Sequence, residues 1–411
     1  MMSDPTAGSA GEIPAARYPA RLATCREVIA ERGFAALLIG VGPDLRYLTG
    51  FVGEPMERLT LLVIPERGEV SFVVPRLEAT KAEATPLVAA GNARVVAFEE
   101  TEDAFALTAR LLEEAGAAER TGGGGSAGPA NPAGGGGSAG RPIGLSDRLW
   151  AMHVLPLFGA LPGCRFEPAS AVLRDLRQVK DADEIRLLRL AAAAADRTVD
   201  AIAAGRLIGR TEAEVSREVR GRLIDEGHDL ADFAIVGSGP NGASPHHDAG
   251  TREIRAGEPV VLDIGGTLAG YLSDTTRTIW VAGDSGVEPE PEFRRVYDLV
   301  REAQAQATAT VRPGATAESV DAAARAAIAG GGYAEFFTHR TGHGIGLEVH
   351  EDPYIVAGNS TPLRPGMSFS VEPGIYLPGR WGVRLENIVI CTGTGADVLN
   401  MSSLDLRVVR G

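Results

Sequence analysis

Apolar residues in the first part of the chain come in short, nearly unbroken runs: AALLIGVG (35–42), RLTLLVIP (58–65) and VSFVVP (70–75), each bounded by glycine, proline or charge. Short apolar runs with such boundaries predict strands. A helical period over 18–32 precedes them. IGLSD (143–147) and the segment near 166–178 extend the set, so the pattern predicts a small α/β domain.

Beyond residue 180 the pattern changes. Asp181 with Glu184 forms a capping signature that opens an Ala-rich helix ending at Gly205, and Thr211 with Glu214 opens another that closes near Gly227. EFRRVYDLVREAQAQATATV (292–311) stops before Pro313, and Thr316 opens a fourth helix to the Gly330–Gly332 run. Strand-like runs lie between and after them: PVVLDIGG (259–266), TRTIWVAG (276–283), SFSVEP (368–373) and VRLENIVIC (383–391). Helices in runs and strands in hairpins predict an α+β domain, and no repeat marks a solenoid. The boundary is expected near residue 172, giving domains at 16–172 and 173–411 behind an unstructured lead-in at 1–15. Two near-copies of GGGGSAG around PANPA make 121–141 a flexible surface loop without chemistry, because such a stretch has too few side chains to offset its backbone entropy.

Composition narrows the function. The 411 residues carry 40 Lys+Arg against 54 Asp+Glu, a formal charge of −14, so no general attraction to nucleic acid or anionic membrane is expected. Cys25, Cys164 and Cys391 are too few and too scattered for a zinc knot or a disulfide framework, which fits a reducing, cytoplasmic setting. Neither a secretory signal nor a run long enough to span a membrane is expected.

The chemistry lies in acids placed where apolar residues belong. Asp263 sits inside VVLDIGG, and Asp274 follows 11 residues later across a glycine-rich reversal, so the two carboxylates can face each other on paired strands. Glu372 ends SFSVE, and Glu386 lies 14 residues on, inside VRLENIVIC. Taken alone, Asp263 reads as a structural ion pair, and TGHGIG around His343 as a glycine-rich turn with a satisfied histidine. Taken together, four carboxylates with Arg277, Arg380 and Arg384 as the nearby partners are better explained by divalent cations. Four carboxylates and one imidazole form an oxygen-rich set that suits Mn²⁺, Co²⁺, Fe²⁺ or Zn²⁺ in a two-metal cage. Such a cage activates water and polarises a carbonyl, which makes amide hydrolysis the expected reaction.

SPHHD (244–248), VVLDIGGTLAGYLSDTTRT (260–278), TGHGIGLEVHE (341–351), SVEPGIY (370–376) and GVRLEN (382–387) resemble, in order and spacing, the pita-bread metallopeptidases, which include prolidase, aminopeptidase P and methionine aminopeptidase. DLRYLTGF (44–51) and VVPRLEA (73–79) resemble the creatinase-like domain that precedes the catalytic domain in prolidases and aminopeptidases P, and LRDLRQVKDADEI (173–185) resembles the entry to that catalytic domain. The resemblance implies a pita-bread fold behind a creatinase-like N-terminal domain and two divalent ions, with Mn²⁺ favoured over Co²⁺, Zn²⁺ or Fe²⁺. It implies that Asp263 chelates one ion, that Asp274 and Glu386 bridge both, and that His343 and Glu372 complete the cage. Glu372 would also be the general base, His246 and His350 would hydrogen-bond the substrate, and Arg384 would orient Asp263. His246 is preferred over the adjacent His247; His153, His228 and His339 receive no role.

The implied function is hydrolysis of the bond between an N-terminal residue and proline, by a homodimer acting on proline-containing peptides without nucleic-acid or membrane partners. Asn387 stands where an acid commonly follows the last ligand, and Tyr354 where some prolidases carry an arginine for the dipeptide carboxylate, so dipeptidase and aminopeptidase P stay open. Alternatives on the same scaffold are a metal-free amidinohydrolase, which would have replaced the ligand carboxylates, and a non-catalytic interaction protein.

Overall fold

A computed structural model describes residues 12–118 and 140–410. Most of the expected lead-in at 1–15 and nearly all of the 121–141 loop therefore lie outside the described residues. The chain divides into two compact units, Ile13–Arg177 and Gln178 onward. The helix Ser170–Arg177 runs across residue 172 and ends at this division.

In the first unit the apolar runs become β1 (Ala36–Gly40), β2 (Leu61–Pro65) and β3 (Ser71–Pro75), every residue of which is buried. With β4 (Arg94–Phe98), β5 (Ile143–Leu145) and β6 (Phe166–Pro168) they form one mixed sheet in the order β4-β3-β2-β1-β5-β6. Unbroken burial along the central strands is what a sheet covered on both faces requires.

The second unit begins with two capped helices. Asp181 accepts from the backbone of Asp183 and Glu184 while Glu184 reaches back, opening Ala182–Ala204; Thr211 and Glu214 do the same for Glu212–Asp225. Their apolar faces pack through Val199, Ile202, Val215 and Leu223 onto a sheet ordered β18-β10-β8-β7. Its strands are β7 (Leu230–Ser238), β8 (Glu258–Leu268), β10 (Thr275–Val281) and β18 (Arg407–Val409), with β9 (Tyr271–Leu272) pairing to β8. A second helix pair, Pro291–Thr310 and Ala317–Gly330, packs on strands of the C-terminal half. These form the sheet β12-β11-β13-β16-β17 from β11 (Gly342–Gly344), β12 (Glu351–Ile355), β13 (Ser368–Val371), β16 (Asn387–Cys391) and β17 (Ala396–Val398). The hairpin of β14 (Gly374–Leu377) and β15 (Trp381–Arg384) stands beside them. The expected α+β arrangement is present. Among the described residues no helix is long and apolar enough to cross a membrane.

VRLENIVIC does not form one strand: β15 ends at Arg384 and β16 begins at Asn387. Leu385 faces Pro373, which has no N–H to continue the ladder, and only the 3.4 Å bond from Leu385 N to Pro373 O spans the break. The Glu386 N–H instead donates to the carbonyl of Thr276 in β10, at 3.1 Å. Arg384 N and Thr278 Oγ1 bond within the same crossing, so the two sheets are joined where the acids lie.

Candidate metal centre

Asp263 lies in mid-β8, opposite Thr276 of β10, and Asp274 occupies the interruption just before β10. Glu372 and Glu386 occupy the paired breaks beyond the last rung of the β13–β16 ladder, Val371 opposite Asn387. Strand ends leave side chains room to converge that a continuous pleat, with its alternating faces, denies them. His343 is the central residue of β11. Its flanking glycines are required by close approach: a Cβ on Gly342 would overlap the carbonyl oxygen of Ser370, and one on Gly344 would overlap that of Asp352.

Asp263, Asp274, His343, Glu372 and Glu386 line one cavity of about 440 Å³, together with His246, His350 and Arg384. Asp274, His343 and Glu386 each bring one ligand atom to within 4.8 Å of the others. His343 Nε2 is 3.2 Å from Glu372 Oε1 and 3.5 Å from Asp274 Oδ2, while Nδ1 lies 3.1 Å from the carbonyl of Gly344. An imidazole whose Nδ1–H donates to a carbonyl presents its Nε2 lone pair to those carboxylates, an arrangement a cation makes favourable.

Arg384, itself buried, donates to Asp263 Oδ2 at 2.5 Å, to Tyr376 Oη at 2.8 Å and to the carbonyl of Pro245 at 3.2 Å. Its Nε reaches Thr276 Oγ1 at 3.2 Å, and that hydroxyl donates to Glu386 Oε2 at 2.7 Å. The other oxygens, Asp263 Oδ1 and Glu386 Oε1, are buried with no hydrogen-bond partner. Four carboxylates thus share the cavity with two arginines, of which Arg384 pairs with Asp263 while the Arg340 guanidinium lies over the Tyr354 ring, and a buried carboxylate without a charge partner costs several kcal/mol, on the order of its partly relaxed desolvation penalty. Burial, then repulsion from Glu386 and Asp263, holds the Asp274 carboxyl well above its usual range; burial, then Glu372 and Asp263, does the same to Glu386. Burial opposes ionisation of Glu372 as well, but when His343 is protonated, its Nε2–H and its charge outweigh burial and bring that carboxyl down to about 2; a cation on Nε2 would take the place of that proton. Orphaned oxygens, crowded acids and an oriented imidazole fit divalent cations.

The two adjacent histidines part company. His246 faces the cavity, whereas His247 Nε2 bonds the buried Glu212 at 2.8 Å. His350 stacks edge-on against His343 with ring centroids 4.2 Å apart, and burial, then His343 and Arg340, push its imidazole down to about 4. His339, given no role from sequence, also lines the cavity and lies 2.8 Å from Tyr376 Oη, the hydroxyl that Arg384 holds. Its one sequence signal is its place four residues before His343. His228 likewise proves structural, with Nε2 2.9 Å from Ser273 Oγ, beside Asp274.

Residues 186–393 match the model of metallopeptidase family M24, and residues 21–179 match the creatinase/prolidase N-terminal domain. A probable dipeptidase PepE of Mycobacterium bovis is 44% identical over 393 residues, 95% of this chain and 96% of that protein. The crystal structure of dipeptidase PepE from Mycobacterium ulcerans superposes with a TM-score of 0.86 at 42% identity, over 98% of this chain and 100% of that one. A prolidase from Thermococcus sibiricus gives a TM-score of 0.83 at 34% identity, over 95% and 99% of the two chains. The expected pita-bread fold behind a creatinase-like domain is therefore the fold observed. With relatives matched end to end and an acid-rich cavity where a metallopeptidase needs one, the chain belongs to metallopeptidase family M24 and is a peptidase.

Proposed function

We propose that this peptidase is a dinuclear-metal-dependent Xaa-Pro dipeptidase, with Asp263, Asp274, His343, Glu372 and Glu386 as the ligands. The observation that carries the reading is their convergence on one cavity in which two buried carboxylate oxygens have no protein partner. Two divalent ions held there would lower the pKa of a water molecule and polarise the scissile carbonyl. Glu372, whose Oε1 is held by His343 at 3.2 Å and by the Ser370 hydroxyl at 3.1 Å, would accept the proton of the attacking water as general base. His246 and His350, which line the cavity, would donate to the substrate carbonyl as it becomes tetrahedral. Arg384 holds Asp263 by one oxygen and leaves the other for ligation.

Support for a dipeptide rather than a longer peptide comes from relatives named as dipeptidases and prolidases. The test is hydrolysis of an Xaa-Pro dipeptide beside an Xaa-Pro-Yaa peptide after chelation and readdition of Mn²⁺, Co²⁺ or Zn²⁺. Metal-dependent cleavage of the dipeptide is expected; cleavage of the longer peptide alone would make the enzyme an aminopeptidase P. In Asp274→Asn, elemental analysis should show lost metal and turnover should fall by a factor on the order of 10²–10³. Full metal-dependent turnover in that variant would overturn the ligand set.

A further inference from the structure

Residues 244–250 contain no helix or strand, yet they carry His246 into the cavity. A side chain on an irregular loop holds its position only if the backbone around it is tied down. Two ties flank His246 directly. On one side the Pro245 carbonyl accepts from Arg384 Nη2, which also holds Asp263. On the other side His247 turns away from the cavity and bonds Glu212.

Glu212 is the first residue of its helix and is completely buried. Its Oε1 accepts from Ser238 N and Ser238 Oγ, each at 2.7 Å, and from Asn241 Nδ2 at 3.1 Å. Its Oε2 accepts from His247 Nε2 at 2.8 Å, from Asn241 Nδ2 at 3.1 Å and from Gly250 N at 3.3 Å. One carboxylate thus gathers the end of β7, the turn that follows it and the far side of the histidine loop. A buried carboxylate satisfied by so many donors is stiff, since freeing any donor takes one compensating hydrogen bond from a buried charge.

We infer that Glu212 and His247 are positioning residues of the active centre, clamping the loop so that His246 meets the substrate. The inference rests on the reading of His246 as a substrate-binding group. It also accounts for the paired histidines: the first faces the cavity and the second is its anchor.

The test is a double-mutant cycle on the metal-loaded, full-length enzyme, using the Xaa-Pro dipeptide. His247→Ala is expected to lower kcat/KM by roughly 10- to 100-fold, the scale of a small displacement of a substrate-positioning group, with metal content unchanged. His247→Gln, whose amide can still donate to Glu212, is expected to restore most of the loss. In a His246→Ala background, adding His247→Ala should cost nothing further, because the clamp acts through His246. Hydrogen exchange supplies a readout independent of turnover: amides of 244–250 should exchange faster in His247→Ala while those of the Glu212–Asp225 helix do not. Losses that simply multiply in the double variant, or unchanged exchange in 244–250, would overturn the clamp. If the wild-type enzyme cleaves no Xaa-Pro peptide, the substrate reading fails, while the exchange measurement still decides whether His247 holds the loop.

Discussion

His228 shows how a residue without chemistry supports the chemistry. It is buried, with Nδ1 3.1 Å from the Leu223 carbonyl and Nε2 2.9 Å from Ser273 Oγ, one residue before Asp274. Burial pushes its imidazole below the ordinary 6.5, and the Leu223 carbonyl, Asp232 and Asp229 only partly oppose this. As pH falls through 6.5 the unfolded chain binds the proton first, so the stability that neutral His228 contributes is present above that pH and is lost below it. The denaturant midpoint of the second unit is expected to drop between about pH 7 and pH 5, the range in which an unfolded histidine titrates, and His228→Gln should flatten that slope. An unchanged slope in the variant would remove His228 from the account. Individual residues were legible in proportion to how unusual they are in sequence. Acids inside apolar runs announced themselves at Asp263 and Glu386, whereas Glu212 looks like an ordinary first-turn acid, and its six hydrogen bonds exist only after β7 has folded beside it.

Elements were legible where their signal is local. Both capping boxes, Asp181 with Glu184 and Thr211 with Glu214, mark their helices from residues three apart, and both are formed. Strand interruptions were not legible, because their causes are distant: Glu386 leaves its hairpin for the carbonyl of Thr276, 110 residues earlier. Short β11 was equally hidden, since only its approach to Ser370 and Asp352 makes GHG extended. That approach carries its own prediction. Gly342→Ala places a methyl against the Ser370 carbonyl, and the shift needed to relieve it moves His343; a loss of about 1–3 kcal/mol of stability is expected, as for overpacked cores. Lowered metal affinity by titration calorimetry should accompany it. Wild-type affinity in a destabilised Gly342→Ala protein would mean that β11 relaxes without disturbing the imidazole.

At the scale of the whole chain, the cage concentrates like charge in a protein that already carries a formal charge of −14. Repulsion among these acids works against the folded state, and cations held there, as proposed, would reverse its sign. Adding metal should therefore raise the thermal transition of the second unit, by about 2.7 kcal/mol of stability when free metal reaches 100 times its Kd. Scanning calorimetry before and after chelation measures this; an unmoved transition would overturn metal binding by these carboxylates. The order of helices and strands, and so the fold class, could be read along the sequence, because each half of the unit packs its own helix pair on its own strands. Their joining at Arg384, Glu386 and Thr276 could not.

β18, the last strand, runs parallel to β10 and pairs Ile279 with Arg407 and Val281 with Val409. It covers the outer edge of the strand that starts beside Asp274, where a bare row of backbone donors and acceptors would invite pairing with other chains. In genetic terms, a nonsense codon at position 407 would spare the codon of every proposed ligand yet bare this edge, and its product is expected to associate where the full chain does not, which light scattering of the two proteins would check.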